Sequence, residues 1–326
     1  MILAIETSCD DTCAALVAPD GTIAANVISS QEAHNRFGGV VPEVAARTHL
    51  ELIEPVIAEA FARAGVTLED VELVAATRGP GLVGALLVGF STAKAIAAAR
   101  QLPLAAVDHL AGHVAAAYLR PAAFEPPFVA LIASGGHTLL LAVRERGAAP
   151  EVLARTLDDA AGEAFDKGAR MLGLGYPGGA PLERLASNGD PQAFDFPSGR
   201  GEDFSFAGLK TALLYKTREV DTDDERVRAD LAASYQRAIV DGLVRRTERA
   251  LERTGLRKLA LGGGVAANGP LRARLGELGV ELFLPPLALC TDNAAMIAAV
   301  ALDATPLPYP EYLGLDVYAT GEGPLR

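Results

Sequence analysis

The sequence contains no tryptophan, and aromatic residues make up only 6% of its 326 residues, although half of the chain is hydrophobic. A composition so poor in aromatics and so rich in alanine, leucine and valine is typical of an α/β core built from small aliphatic side chains. Cysteine is scarce as well. Cys9, Cys13 and Cys290 are too few for a disulfide framework, which excludes a disulfide-stapled secreted domain and favours a reducing compartment.

Positive charge is in deficit, since the formal net charge is −12 at pH 7. This excludes attraction of nucleic acid by the surface as a whole, so a nucleic-acid substrate would need a local basic patch or a basic partner. One candidate patch is formed by Arg245, Arg246, Arg249, Arg253, Arg257 and Lys258, although such a run is usually a solvated helix face. No apolar run reaches the length of a membrane span, and the first residues carry neither a basic region nor a cleavage site. We therefore expect a cytoplasmic protein without membrane partners.

A pattern of short strands and helices occurs twice along the chain. Residues 2–7, 13–18 and 22–28 predict an antiparallel meander, and strands then alternate with helices up to residue 107, which implies parallel strands. The same strand, polar turn, strand plan restarts at residue 128. We predict a duplicated α/β fold of two lobes, 1–121 and 122–326, with a cleft between them and a helical insertion at about 180–255.

Two of the five histidines, His109 and His113, are four residues apart. On a helix this spacing places both imidazoles on one face, where they can share one divalent metal ion. The spacing alone leaves open a helix with one capping and one half-buried histidine. The glutamate that acts as base in zinc proteases with this spacing is missing, so a metal here would orient and polarise a substrate rather than activate water.

Two further features near the carboxyl end predict parts of a site. Asp292 either caps the helix expected at 294–302, as Thr291 also could, or reaches across the cleft to the histidine pair as a third ligand. The glycine run at 262–264 lies between a predicted strand and a predicted helix, a context typical of phosphate or nucleotide binding. A plain tight turn remains open for it.

Together these motifs resemble the bacterial tRNA threonylcarbamoyladenosine transferase family, formerly labelled O-sialoglycoprotein endopeptidase. The matching segments, in the family's order, are 5–12, 38–43, the His109/His113 pair, 134–138, 166–170, 176–179, 204–210, 262–268 and 291–293. The resemblance implies the actin/sugar-kinase/Hsp70-like, ribonuclease H-like fold. It also implies transfer of threonylcarbamoyl from threonylcarbamoyl-AMP to the N6 amine of the adenosine 3′ of the anticodon, in tRNAs that read codons beginning with A.

The resemblance implies the site residues as well. The family's metal ligands fall on His109, His113 and Asp292, with Fe(II) favoured over zinc. Its substrate-binding positions fall on Ile132, Ala133, Ser134, Gly135, Gly136, Asp166, Gly179, Glu183 and Asn268, a pocket that ATP, ADP or AMP can also occupy. The family often has valine at 133 and aspartate at 183, so the contact from Glu183 is in question. The implied partners are tRNA, a catalytically inactive paralogue of the same fold, and a small ATPase.

An exocyclic adenine amine is a poor nucleophile, so a nearby carboxylate should remove its proton. Asp10 is the first candidate and Asp11 the second, and a capping role in the hairpin is equally open for Asp10. Three other functions remain possible: a metalloendopeptidase, a small-molecule kinase on the same fold, and a non-catalytic scaffold. Residues 304–326 carry no motif of the family.

Overall fold

The computed structural model describes residues 1–199 and 201–319, so the end of the predicted second lobe, from residue 320, lies outside the described residues. The chain divides into two compact units. Unit 1 comprises Met1–Glu125 and Thr291–Arg326, and unit 2 comprises Pro126–Cys290. Residues 291–319, which the sequence pattern places in the second lobe, thus belong to unit 1.

Unit 1 is built on a five-stranded sheet in the order β3-β2-β1-β4-β5. Its strands are β1 (Ile2–Glu6), β2 (Asp11–Val17), β3 (Ile23–Ser30), β4 (Leu73–Gly79) and β5 (Leu104–Asp108). The β1, β2 and β3 strands pair antiparallel, and β4 and β5 continue the sheet in parallel. The predicted meander and the predicted parallel strands are both confirmed.

Four helices accompany this sheet: α1 (Pro42–Ala64), α2 (Val83–Arg100), α3 (His109–Ala115) and α9 (Ala294–Ala301). Pro42 occupies the first turn of α1, where its missing N–H costs nothing, and Pro55 lies inside the helix without splitting it. By length and composition α2 could cross a membrane, with a mean hydropathy of 1.3, but a single such helix is weak evidence. Its Leu86 and Phe90 are buried in the core of unit 1.

Unit 2 repeats the plan with a sheet in the order β10-β9-β6-β7-β8. Its strands are β6 (Phe128–Ala133), β7 (Thr138–Val143), β8 (Glu151–Arg155), β9 (Lys258–Gly262) and β10 (Glu281–Phe283). Its helices are α4 (Ala161–Met171), α5 (Gly179–Ala186), α6 (Ala207–Glu219), α7 (Glu225–Thr254) and α8 (Gly269–Gly276). Three antiparallel strands are again followed by two parallel ones, so the predicted duplication is confirmed.

The α5 and α6 helices lie in the region predicted as a helical insertion at about 180–255, and both pack against α7. The chain after residue 290 differs from the sequence-based prediction. Residues 291–301 join unit 1 because α9 packs on β1, β2 and α3. A local pattern cannot tell which of two similar cores a buried helix will enter.

Candidate functional site

The histidine pair lies on α3, directly after strand β5. Asp108 ends the strand and caps the helix, since its Oδ1 accepts hydrogen bonds from Leu110 N at 2.9 Å and Ala111 N at 3.1 Å. His109 and His113 are both buried, with ring centroids 4.8 Å apart. The predicted helical placement of both imidazoles on one face is therefore confirmed.

Asp292 brings a carboxylate to both imidazoles. Its Oδ1 lies 3.5 Å from His109 Nε2 and 3.3 Å from His113 Nε2, and the three ligand atoms lie within 4.8 Å of one another. The expectation that Asp292 reaches the pair across a cleft is wrong, because Asp292 belongs to the same unit as the histidines. The alternative that Asp292 or Thr291 caps α9 is also wrong, since Asn293 Oδ1 accepts the Met296 N–H at 3.0 Å.

The surroundings of His113 fit a bound cation. Within the described part of the chain, neither its Nδ1 nor its Nε2 has a hydrogen-bond partner, although the ring is buried. The 3.3 Å separation from Asp292 Oδ1 is short enough for a hydrogen bond but lacks the direction of one. A buried imidazole without a partner is costly, and two histidines with one carboxylate are a ligand set that divalent metals take.

Glu6 supports this group from the end of β1. Its Oε2 lies 3.0 Å from His109 Nδ1, and its carboxylate also accepts hydrogen bonds from the Thr77 hydroxyl and the Ser8 N–H. A carboxylate on the far nitrogen of a histidine fixes the ring and leaves its other nitrogen facing the metal. Glu6 belongs to the motif at 5–12, but the sequence pattern did not indicate this role.

The charges around His109 control its protonation. Burial lowers the pKa of His109, but the carboxylates of Asp292 and Glu6 outweigh it and raise the pKa to about 9. Burial likewise disfavours the charged form of Glu6, yet the adjacent His109 brings the pKa of Glu6 below its ordinary value. Without a metal ion, the cluster therefore carries a proton that a cation would replace.

The two candidate bases lie at the turn between β1 and β2. His49 of α1 holds this turn, donating from Nε2 to Cys9 O at 3.0 Å and accepting the Thr12 hydroxyl at Nδ1 at 2.7 Å. Asp11 begins β2, and its pKa is raised to about 7 by burial, assisted by the charges of Asp292, Asp10 and Glu6 and opposed by a hydrogen bond from Ser30. At Asp10, the backbone carbonyl accepts the Gln31 N–H at 3.1 Å.

In unit 2, two glycine-containing turns meet at the carboxyl ends of neighbouring strands. Ile132 of β6 pairs with Gly262 of β9, the last residue of that strand, and β6 ends one residue later, at Ala133. Gly263 has φ +87, and a Cβ added to it would lie 2.4 Å from Ala133 O, so only glycine fits there. The Ser134 N–H donates to His137 O at 2.8 Å and closes the other turn, whose Gly135 and Gly136 are exposed. The carboxyl ends of parallel strands are where α/β sheets bind ligands.

The remaining predicted positions lie on nearby helices of unit 2. Glu183 of α5 accepts the side-chain N–H of Asn268 at 3.0 Å and the Gly269 N–H at 3.0 Å, which brings two of the predicted positions, 183 and 268, into contact. Asn268 also donates to Gln236 Oε1 at 2.9 Å, a residue that no sequence pattern indicated. Asp166 of α4 accepts the Gly178 N–H at 2.7 Å, directly before Gly179 at the start of α5.

The arginine patch on α7 is largely occupied by contacts inside unit 2. Arg246 is buried and donates to the carbonyls of Asp203 at 2.7 Å and Gly242 at 3.0 Å. Arg245, Arg249 and Arg253 also contact the 198–203 loop. This face of α7 therefore anchors a loop, and the proposal of a free basic patch for tRNA loses most of its residues.

The duplicated sheets and glycine turns define a protein of the actin/sugar-kinase/Hsp70-like fold. Two solved structures share this fold. Component A of (R)-2-hydroxyglutaryl-CoA dehydratase from Acidaminococcus fermentans has a TM-score of 0.58 and is 18% identical, and the match covers 93% of this chain and 96% of that one. HypF from T. kodakarensis has a TM-score of 0.63 and is 15% identical, and the match covers 93% of this chain and 48% of HypF. Such identities establish the fold alone.

Sequence comparison identifies the family. A protein of Symbiobacterium thermophilum is 54% identical over 92% of this chain and 90% of its own, and one of Pelobacter propionicus is 50% identical over 98% and 96%. Both are named tRNA N6-adenosine threonylcarbamoyltransferase, and the profile of that family (TsaD) matches residues 22–299. This chain belongs to the tRNA N6-adenosine threonylcarbamoyltransferase family.

Family membership confirms the predicted activity. The chain is a transferase that attaches a threonylcarbamoyl group to the N6 amine of an adenosine in tRNA, and tRNA is its substrate. Neither the peptidase nor the kinase alternative is supported by these relatives. The family implies a metal-binding site, and His109, His113 and Asp292 form a group able to provide it.

Proposed function

We propose that the threonylcarbamoyl donor is threonylcarbamoyl-AMP and that the acceptor is the adenosine 3′ of the anticodon in tRNAs reading codons that begin with A. The observation that carries this proposal is the buried group of His109, His113 and Asp292, in which both His113 nitrogens have no hydrogen-bond partner among the described residues. A mixed carbamic–phosphoric anhydride is already activated by its leaving group. The protein therefore has to bind, orient and deprotonate rather than form a covalent intermediate.

His109, His113 and Asp292 would hold one divalent ion, which we propose to be Fe(II) rather than Zn(II). Two histidines and one carboxylate with open positions are the ligand set of non-haem Fe(II) sites. When bound, the ion supplies a Lewis acid that can orient the threonyl carboxylate and polarise the carbamoyl oxygen. Glu6 keeps the Nδ1 proton of His109 engaged, so that Nε2 presents its lone pair to the ion.

We propose that the adenylate part of the donor binds to unit 2. The proposed contact residues are Ile132, Ala133, Ser134, Gly135, Gly136, Asp166, Gly179, Glu183 and Asn268. The exposed Gly135 and Gly136 allow a phosphate to approach the backbone closely, as does the loop after β9. Glu183, fixed by Asn268 and Gly269, offers carboxylate oxygens to hydroxyl groups rather than to phosphate. ATP, ADP and AMP share the adenosine and phosphate groups and fit the same residues.

Asp10 and Asp11 are the proposed bases for the N6 amine of adenine. A general base works best when its pKa lies near the operating pH. Burial raises the pKa of Asp11 to about 7, which supports Asp11 over Asp10, the first candidate from the sequence. A cation on Asp292 would cancel that residue's contribution to the shift, but burial, the largest cause, would persist.

We further propose that the chain acts in the cytoplasm with an inactive paralogue of its own fold and a small ATPase. The net charge of −12 and the occupied arginine face of α7 leave this chain poorly suited to hold tRNA alone. A partner with a basic surface would supply the missing phosphate contacts.

The test is single-turnover transfer from threonylcarbamoyl-AMP to tRNA, together with metal analysis of the purified chain. His113→Ala breaks no hydrogen bond among the described residues, so it should fold while losing both the metal and the transfer activity. His109→Ala should also lose the metal and the transfer activity, but it leaves the buried Glu6 carboxylate without its histidine partner, so it should be less stable than His113→Ala. His34→Gln, at a buried histidine bonded to Gln31 and to the Val41 N–H, should keep both metal and activity. Full transfer by a folded, metal-free His113→Ala protein would refute the metal-assisted mechanism.

A further inference from the structure

The segment after α9 has no motif that the proposed function uses, yet it follows a defined path in unit 1. Leu307 forms two backbone hydrogen bonds with Leu104 of β5, each of 2.9 Å, and Tyr312 is fully buried. Residues 315–318, which we call the C-terminal strap, then cross the carboxyl end of β4. Lys94 Nζ donates to Leu315 O at 2.9 Å, and Arg78 Nε donates to Asp316 O at 2.6 Å.

The strap places Tyr318 against the cap of the metal-binding helix. The Tyr318 hydroxyl lies 2.6 Å from Asp108 Oδ2 and 2.9 Å from Gly79 O, and its single hydrogen goes to the carboxylate, the stronger acceptor. A Cβ on Gly79 would lie 2.5 Å from the Tyr318 carbonyl oxygen and 2.6 Å from its ring, so the tyrosine fits only because residue 79 is glycine. The contact between Tyr318 and Asp108 therefore depends on the glycine at position 79 as well as on the strap.

Each oxygen of the Asp108 carboxylate has a separate task. Oδ1 accepts the N–H groups of Leu110 and Ala111 at the start of α3, and Oδ2 accepts the Tyr318 hydroxyl. The α3 helix has only seven residues, too few to be stable by itself, so its start is fixed by the cap and by packing on α9. His109 is the first residue of this helix, directly after the cap.

We propose that Tyr318 is a positioning residue for the metal centre, which acts by holding the Asp108 carboxylate in the orientation that caps α3. The chain of contacts runs from the strap to Asp108, from Asp108 to the first turn of α3, and so to His109 and its distance from Asp292. The inference rests on the metal centre proposed above. It gives a role to a segment that carries no motif of the family.

The first measurement uses Tyr318→Phe in the full chain, which removes one hydroxyl and keeps the ring. Zn²⁺ and Co²⁺ affinities are measured by competition with a chromogenic chelator. Binding should weaken by about three- to tenfold, because Tyr318 acts by loosening a helix cap and does not itself touch a ligand. The matched control is Tyr312→Phe on the same segment, because the buried Tyr312 hydroxyl has no hydrogen-bond partner among the described residues. Its affinity should equal that of the wild type.

A double-mutant cycle separates positioning from a general structural effect. Asp108→Ser retains a good helix cap but has no second oxygen for Tyr318. It should lose as much affinity as Tyr318→Phe, and the double variant should lose no more than either. Equal losses that add in the double variant would overturn the proposal, as would a folded Tyr318→Phe protein that binds metal within twofold of the wild type.

A measurement without metal keeps the two proposals distinguishable. In the metal-free chain, hydrogen exchange at the Leu110 and Ala111 amides should be about two- to tenfold faster in Tyr318→Phe than in Tyr312→Phe, since the cap is looser. Unchanged exchange would refute the role of Tyr318. If the wild-type chain binds no metal while exchange is still faster in Tyr318→Phe, the proposed metal centre is refuted and only the effect of Tyr318 on the cap of α3 is supported.

Discussion

Replacing Glu6 by glutamine tests whether the outer carboxylate controls the metal centre. Glu6 is fully buried and accepts three hydrogen bonds, from His109 Nδ1, the Thr77 hydroxyl and the Ser8 N–H. Glutamine has nearly the same shape, but one of its two terminal atoms is an amide nitrogen that donates. In either amide orientation, therefore, a donor faces a donor at His109 or at Ser8.

The cost of Glu6→Gln can be derived from these contacts. If the amide nitrogen faces His109, the ring must move its proton from Nδ1 to Nε2, the nitrogen that lies 3.5 Å from Asp292 Oδ1, and it can then no longer ligate. If the amide turns over, the buried Ser8 N–H loses its acceptor, at about 1–3 kcal/mol. Outer partners of metal ligands typically change affinity by about 10- to 100-fold, or about 1.4–2.7 kcal/mol. We expect a loss in that range.

The assay is chelator competition on purified wild-type, Glu6→Gln and Glu43→Gln proteins, with thermal unfolding of each as a check on folding. Glu43 lies on the exposed face of α1, where it pairs with Arg47, so its replacement should leave metal affinity unchanged. A folded Glu6→Gln protein with the affinity of the wild type would show that Glu6 does not orient His109. The proposed coupling between Glu6 and the metal ligands would then be wrong.

Three further predictions concern protonation and backbone shape. First, because the pKa of metal-free His109 is about 9, a metal must displace its proton, so apparent affinity should rise about tenfold per pH unit from about 7 to 9, as measured by chelator competition. Second, the pKa of Asp11 is about 7, so single-turnover transfer should rise with pH through that value in the wild type and lose this dependence in Asp11→Asn. Third, Gly263→Ala should destabilise unit 2 by about 1–3 kcal/mol and weaken AMP binding, measured by denaturant unfolding and calorimetry, because φ +87 with ψ 162 suits only glycine.

Each of these three predictions has a result that would contradict it. His109 gains a proton on folding, so its contribution to the stability of the metal-free chain is present below its unfolded pKa of about 6.5 and is lost as pH rises through about 9. A flat metal affinity over that range would contradict the assigned proton. Asp10→Asn should keep the pH dependence of transfer, and its loss there would assign the base to Asp10. Gly264→Ala, whose added Cβ meets nothing within 4 Å, should leave the stability of unit 2 nearly unchanged.

The parts predicted correctly are those that short-range patterns determine. The meander of β1 to β3 and its repetition from residue 128 follow from alternating apolar residues and turn residues. The helical spacing of His109 and His113 needed no tertiary information. Residues that belong to one turn or one helix could thus be assigned from the sequence.

The site residues that the sequence pattern did not indicate contact partners that are far away along the chain. Glu6 meets His109 from 103 positions away, and Tyr318 meets Asp108 from 210 positions away. Gln236 reaches Asn268 from the middle of a 30-residue helix whose pattern shows only an amphipathic face. None of these side chains differs in type or spacing from an ordinary surface or core residue, so only the fold identifies them.

Asp292 shows what the sequence pattern can predict and what only the fold determines. The α9 helix that follows it is apolar on every side, and a helix of that kind has to be buried. The sequence therefore indicates burial, but two sheets of the same topology offer two cores, and the pattern of α9 suits either. Because α9 packs on β1, β2 and α3, the carboxylate just before it meets the histidines without leaving unit 1. The metal ligands consequently come from one compact unit, and their geometry depends on the return of the chain after residue 290 rather than on the arrangement of the two units.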